Sequence, residues 1–510
     1  MGNKDAVLLG SPRRIGVTRP YYLLVNVLRT LWVAVVYHSE LGIFRAHVSR
    51  CSWPDVTSPL KSDVNSDEWA RLANVLVIAD PQIFNMESYP GRSPWLMRLT
   101  QIIVDLNMRK SWRALLRLQP DMAIFLGDML DNGRAIMSDP EYTEYHDRFR
   151  DIFVPPAGKQ LPMYYLPGNH DIGLGTSSQF ADNATQRYQT KFGQLNQLVE
   201  LYGHILVLIN APGLVEEEYQ RTQSGLNYAH WVATNPNGNI AFVHSISSYA
   251  KQHPAVLLTH IPLARPEGAD CGPLRERGTI RRGWGRGYQN TLPLQISEFL
   301  LTSTHPSLVL SGDDHDYCEY THTYDSSDGI NEISSKSVTE ITVKSFSMAM
   351  GVRKPGVQLL SLASPSYTTS TPHTNSPSAT PCILPDQLGI YLQTYIPFLL
   401  LSLLLLLASN IHRVYTRGRY AKWVPLTLPK WLSDRVTGNG ILLRGHRVRL
   451  TLPWAGRKDE DEDEGALWPV ASSKRRAGEH SGAMSGWLWD VLRVGWIALF
   501  CFVAINWWVI

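Results

Sequence analysis

Short apolar runs, each closed by polar residues, recur through the middle of the chain: Asn74–Ala79, Met122–Leu126, Met163–Leu166, Ile205–Ile209, Val256–Leu258 and Leu308–Leu310. Runs this short and continuous predict strands buried on both faces. Between the first two, from Pro94 to Leu118, Trp95, Leu99, Ile102, Ile103 and Leu106 recur at helical spacing with Arg and Lys between them. Strand, helix, strand in that order predicts an α/β architecture.

The chain ends follow a different pattern. Leu388 to Ala408 is a run of 21 residues without a charge. At ~1.5 Å per residue it is long enough to cross a ~30 Å hydrocarbon core, and Pro397 kinks it without forbidding it. Tyr21 to Tyr37 is apolar except for Asn26 and Arg29 and follows Arg13, Arg14 and Arg19. It reads as a signal anchor, with a cleaved signal as the alternative. Val494 to Ile510 is uncharged and Trp-rich but short for a span, so a transmembrane and an interfacial helix both stay open.

Net charge is +3, from 48 Lys+Arg against 45 Asp+Glu, and this near balance argues against a nucleic-acid binder. The distribution says more. Arg413 to Lys458 holds eleven Lys/Arg and one acid, Asp434, immediately after the best span. The positive-inside rule puts that segment in the cytoplasm, and the arginines ahead of Tyr21 put the N-terminus there too. The expected layout is a cytoplasmic tail (1–20), a signal anchor (21–37), a lumenal lead-in (38–72) and a lumenal α/β domain (73–360). A Ser/Thr/Pro-rich linker whose composition suits O-glycosylation (361–387), a transmembrane helix (388–408), a cytoplasmic basic and acidic loop (409–486) and the C-terminal helix (487–510) complete it. The acidic run 459–464 reads as solvated. Cys51, Cys271, Cys318 and Cys382 all fall on the lumenal side, an even number suited to an oxidising space, with their pairing open. Asn183-Ala184-Thr185 is a glycosylation acceptor triplet.

The residues that follow the strands carry the chemistry. The first run ends in Asp80-Pro81-Gln82, the second in Gly127-Asp128-Met129-Leu130-Asp131, and the third in Gly168-Asn169-His170-Asp171. The run at 256–258 leads to His260, and that at 308–310 to Gly312-Asp313-Asp314-His315. Alone, an Asp after a strand is a cap or a turn, and a lone His is a core residue. Five such segments in register predict one metal cage at the carboxyl edge of a sheet. Carboxylates, amides and imidazoles without a thiolate suit Mn, Fe, Zn or Mg. The donors are too many for one ion, and Asp128 is placed to bridge two. Two cations ~3.5–4 Å apart can clamp an in-line displacement at phosphorus.

Taken together, Asp80-x-Gln82, Gly127-Asp128-x-x-Asp131, Gly168-Asn169-His170-Asp171, His260 and Gly312-x-x-His315 resemble the calcineurin-like metallophosphoesterases over about residues 73–320. The resemblance implies an αββα sandwich, two packed mixed sheets flanked by helices. It departs from the usual pattern at Gln82, where that family has His, and at Asp313, where it has the first His of Gly-His-x-His. Both departures, with Cys51-Ser52-Trp53-Pro54 and the terminal spans, are similar to a fungal branch of endoplasmic-reticulum (ER) membrane phosphoesterases. Those proteins are manganese-dependent and remove an ethanolamine phosphate from a mannose of glycosylphosphatidylinositol (GPI) anchors. Residue by residue, the resemblance implies one metal on Asp80, Gln82, Asp128 and His315, and a second on Asp128, Asn169, His260 and Asp313. His170 would be the general acid, with Asp131 and Asp171 orienting Asn169 and His170. Harder donors at positions 82 and 313 predict a shift from Zn²⁺ toward Mn²⁺.

Arg265, Arg275, Arg277, Arg281, Arg282 and Arg286 are interspersed with glycine between His260 and Asp313. They suit either a lid over an anionic headgroup, with Arg275, Arg277, Arg281 and Arg282 as substrate contacts, or a solvated basic loop. Three functions follow: a membrane-anchored lumenal phosphodiesterase acting on GPI anchors in ER or Golgi, with membrane lipid as its other partner; the same chemistry on a nucleotide or phospholipid headgroup; or a non-catalytic membrane protein of metal homeostasis or cargo sorting.

Overall fold

All six apolar runs are strands in a computed structural model that describes residues 19–54, 72–158, 160–327, 333–363, 377–416, 441–443, 446–448 and 483–509. The chain divides into two compact units, one of residues 35–395 with 501–510 and one of residues 1–34 with 396–500.

In the larger unit the strands are β1 (Leu72–Ile78), β2 (Met122–Phe125), β3 (Met163–Tyr165), β4 (Gln197–Leu201), β5 (His204–Ile209), β6 (Ala255–Thr259), β7 (Trp284–Gly285), β8 (Tyr288–Gln289), β9 (Leu308–Ser311), β10 (Cys318–Ser327), β11 (Ile333–Thr342), β12 (Gly356–Ala363) and β13 (Ser378–Ile383). One sheet has the order β13-β12-β1-β2-β3 and the other β10-β11-β9-β6-β5-β4. The cores β1-β2-β3 and β5-β6-β9-β11 are parallel, and antiparallel strands close every edge except the one formed by β3.

Side chains alternate along a strand, so each run supplies two cores. Val75 and Val77 of β1 pack with Leu206, Leu208, Val256 and Leu258 of the opposite sheet in one buried layer. Their neighbours Leu76 and Ile78, with Phe125, meet Val104, Met108 and Trp112 of the helix Pro94–Leu115. Behind the second sheet, Val207 and Leu257 meet Ile240, Val243, Ile296 and Leu300 of the helices Asn239–Ala250 and Leu294–Thr304. The result is helix, sheet, sheet, helix, the expected sandwich. Burial on both faces explains why the strands read as unbroken apolar runs.

The stretch read as a linker, 361–387, is ordered strand at both described ends. β12 continues to Ala363, and β13 pairs with it at the sheet edge, Leu360 opposite Ala379. An edge strand buries little, which is why Ser, Thr and Pro dominate its composition. Cys382 of β13 is buried and bonded to Cys51, and Cys271 is bonded to Cys318. Residues 364–376, the acidic run 459–464 and most of the basic loop lie outside the described residues.

Among the described residues, three helices are long and apolar enough to cross a membrane: Leu23–Val48, Gln387–Tyr415 and Met484–Trp507. The first is longer than the predicted 21–37, because Arg19–Tyr37 runs on through a π turn, His38–Gly42, into Ile43–Val48. The last is also longer than its apolar run, since Asp490 does not end the helix. In the smaller unit the Asp490 carboxylate is buried and accepts the Asn410 amide at 2.8 Å. There too the Trp32 indole donates to Ser402 Oγ at 3.2 Å and the Trp487 indole to the Leu403 carbonyl at 3.1 Å. The length and composition of the three helices are those of membrane-spanning segments, and the chain reads as a membrane protein.

Candidate metal centre

Every predicted donor follows the carboxyl end of a strand: Asp80 and Gln82 after β1, Asp128 after β2, Asn169 at the start of the short helix Asn169–Ile172 after β3, His260 after β6, and Asp313 and His315 after β9. The chain turns sharply here. Asp80, Gln82, Asp128, Asp313 and His315 have φ of 49°, 41°, 53°, 65° and 67°, in the left-handed region that side chains avoid. Among the described residues only Gln119, Tyr202 and His305 share that conformation without glycine. The glycines beside the donors are there for room. A Cβ on Gly127 would stand 2.5 Å from His260 Nδ1, and one on Gly168 would collide with the Asp128 carboxylate.

The donors fall into two groups that share Asp128. In one, His260 Nε2 stands 3.4 Å from Asp128 Oδ1, 3.0 Å from Asn169 Oδ1 and 3.4 Å from Asp313 Oδ1. In the other, Gln82 Nε2 stands 3.1 Å from Asp128 Oδ2 and 3.0 Å from His315 Nε2. Asp80 adjoins the first group, its Oδ1 3.2 Å from the Asp313 backbone N and 3.8 Å from His260 Nδ1. The resemblance implied the same partition of Gln82 and His315 from Asn169, His260 and Asp313 around Asp128, but it put Asp80 with Gln82, whereas the Asp80 contacts lie with the His260 group. His260 Nδ1 donates to the Leu126 carbonyl at 2.7 Å, which leaves Nε2 for the cage. Asn169 Nδ2 donates to the Gly287 carbonyl at 2.7 Å, which turns Oδ1 inward. Gln82 presents its amide nitrogen to the cage; a half-turn of that amide presents the oxygen that a cation requires.

The residues fit divalent cations. Asp80 Oδ2 is buried and meets no hydrogen-bond donor among the described residues, and Asp80, Asp128 and His260 bring one ligand atom each within 4.8 Å of one another. Burial, with Asp128 and Asp313 close by, pushes the Asp80 carboxyl well above the usual range against the pull of His260. Burial would raise Asp128 too, but His260 and His170 outweigh it and hold its carboxyl low. Burial would lower His260; Asp128 and Asp313 hold it well above its ordinary value.

His170 stands beside the cage. Its backbone N–H donates to Asp128 Oδ1 at 2.8 Å, and its Nδ1 lies 2.5 Å from the Asp131 carbonyl and 3.8 Å from the Asp131 carboxylate. Asp131 thus holds His170. Asp171 does a different job from the one expected: its carboxylate accepts the backbone N–H groups of Met129, Leu130 and Gly168, tying two donor loops together without touching the Asn169 side chain. Burial, then Asp128, raises it to about 7. Gly287 orients Asn169, and Arg134, which the sequence reading missed, braces both by donating to the Asn169 and Gly287 carbonyls at 2.9 and 2.8 Å. The only available signal for Arg134 was its place three residues past Asp131.

The arginine-rich segment is mostly occupied elsewhere. Arg275 grips Asp314 with both guanidinium nitrogens, at 2.5 and 3.2 Å, so its fork is not free for a substrate. Arg265 is buried against Glu340 at 2.6 Å, and Arg282 donates to the Arg265 carbonyl. Arg277 and Arg281 are exposed. What this segment contributes to the site is the Gly287 carbonyl between β7 and β8.

A family model described as calcineurin-like phosphoesterase matches residues 73–317, which contain the whole cage. The domain is a calcineurin-like metallophosphoesterase, and through it the chain belongs to that family of metal-dependent phosphoesterases. The chain is 32% identical over 354 residues to cell division control protein 1 of Saccharomyces cerevisiae, covering 68% of this chain and 66% of that one. It is 28% identical over 357 residues to metallophosphoesterase 1 of Ailuropoda melanoleuca, covering 66% of this chain and 81% of the relative. A crystal structure of a dimetal phosphatase from Danio rerio aligns with a TM-score of 0.32 at 14% identity, over 61% of this chain and 99% of that one.

Proposed function

We propose that this protein is a membrane-anchored, lumen-facing phosphodiesterase of the ER that holds two Mn²⁺ ions and hydrolyses an ethanolamine phosphate from a mannose of GPI anchors. The observation that carries the chemistry is the shared carboxylate: Asp128 offers one oxygen to the His260 group and the other to the Gln82 group. Bound there, two divalent cations supply charge neutralisation to a phosphodiester and its attacking and leaving oxygens. Asp80, Gln82, Asp128 and His315 would hold one, and Asp128, Asn169, His260 and Asp313 the other.

The chain's own residues do the rest. His170 Nδ1 donates to the Asp131 carbonyl, and this fixes the ring so that Nε2 is the nitrogen left for the departing sugar oxygen. The Asp131 carboxylate stands 3.8 Å from the same Nδ1 and adds to the hold on the ring. Arg134 and Asp171 hold the loops at their spacing.

Two disulfides in the domain support a lumenal location, as does exposed Asn183 in its acceptor triplet. The spans support a membrane-borne substrate, since tethering enzyme and substrate to one surface raises their effective concentration. The test compares GPI glycans from cells lacking the protein with those from cells carrying Asp128→Ala. An extra ethanolamine phosphate on a mannose in both is expected. Unchanged glycans in both would move the same chemistry to another phosphodiester.

A further inference from the structure

The helix Pro94–Leu115 has two contrasting faces. Met97, Val104, Met108, Trp112 and Leu115 pack into the core under β1 and β2. On the other side Trp95, Leu99 and Ile102, at i, i+4 and i+7, are 70%, 44% and 48% exposed, with Leu96 beside them. Met86, in the segment that leads from Gln82 into this helix, is 47% exposed as well. Large side chains in one exposed row are a surface that meets something apolar.

What they meet is indicated further along the same helix. Lys110 is buried and paired with Glu40 at 2.5 Å, and Glu40 lies in the first candidate span. Tyr395, in the second candidate span, donates its hydroxyl to the same Glu40 at 2.8 Å. Gln387, where that span begins, accepts from both Asn107 and Lys110. At 3.6 residues per turn, Lys110 stands roughly 60° round the axis from Trp95, with Leu99 between them. The face that joins the membrane-entering segments is therefore continuous with the exposed apolar row. Arg92 and Arg98 flank the row, and tryptophan with arginine at the edge of an apolar strip is the make-up of helices that lie in a lipid interface.

We infer that the N-terminal half of this helix docks on the lumenal leaflet of the membrane that anchors the protein, with Trp95, Leu96, Leu99 and Ile102 in the lipid. The inference rests on the membrane anchoring and not on the substrate. The loop of Gln82 runs directly into the docked helix, and the Gln101 amide donates to the Phe84 carbonyl at 3.1 Å. Docking thus sets the cage at a fixed height above the headgroups.

The test uses the full chain in phosphatidylcholine liposomes. Cys501 is the one cysteine outside the two disulfides, so Cys501→Ser with Leu99→Cys gives one labelling site, and Cys501→Ser with Gln252→Cys an exposed control. A polarity-sensitive fluorophore at position 99 is expected to shift to the blue and to be quenched by nitroxide-labelled phosphatidylcholine, with neither effect at 252. An unshifted fluorophore, or a shifted one that nitroxide lipid does not quench, as when a protein or second copy covers the row, overturns the inference. In parallel, Trp95→Asp with Leu99→Asp should lower turnover of a lipid-embedded phosphodiester by roughly tenfold while hydrolysis of soluble bis(p-nitrophenyl) phosphate stays within about twofold. Equal loss on both substrates overturns it. Activity on the soluble diester also keeps a failed docking distinct from a failed metal centre.

Discussion

Oδ1 of Asp128 lies 3.4 Å from Nε2 of His260, while the other oxygen of the same carboxylate faces Gln82 at 3.1 Å. A residue shared in this way cannot be removed from one half alone. Asp128→Ala should take bound metal from about two ions per chain to less than one, whereas Asn169→Ala should leave the Gln82 half loaded. Elemental analysis of the purified protein checks this.

His170 is held next to the cage without belonging to it. His170→Ala is expected to lower turnover by about 10²–10³-fold with metal content unchanged. The loss should be smaller for a p-nitrophenyl ester than for a sugar ester, because a good leaving group needs no proton. Metal lost along with activity would make His170 a ligand.

Gln82 and Asp313 sit one in each half, and each substitutes an oxygen donor for an imidazole. Gln82→His combined with Asp313→His should raise activity with Zn²⁺ relative to Mn²⁺. The ratio of the two rates on one soluble diester reads the change without depending on how much variant folds.

Much of this site could be read from the chain because a buried parallel strand leaves an unbroken apolar run, and the polar residue after it marks the sheet edge. Asp80, Asp128, Asn169, His260 and His315 were found that way. Arg134 was not, since its role is to hold two backbone carbonyls, one of them 153 positions away at Gly287, and no local pattern encodes a partner so distant. The edge strand β13 was taken for linker for a related reason: an edge strand buries too little to look apolar. The sequence leaves Arg275 open between a substrate contact and a solvated loop because an arginine's partner, here Asp314, is invisible until the chain folds.

Glu340 offers a test of the scaffold through pH. It is fully buried, which alone would raise its carboxyl, but Arg265 and His322 hold it below the ordinary range. Its bonds are therefore complete above the ordinary glutamate value of about 4.3 and fade as pH falls through its own lower value. Glu340→Gln should destabilise the protein by about 3 kcal/mol or more at neutral pH. The gap should stay level from pH 7 to 5 and narrow only below about 4, as denaturant midpoints in detergent would record.

Five of the seven donors stand on backbone bent into the left-handed region, a posture costing roughly 1–2 kcal/mol for each residue and maintained by the sandwich beneath. The shape of the site is thus held by the fold at a cost in stability, so glycine at any of these five positions would relieve strain as it removes a donor.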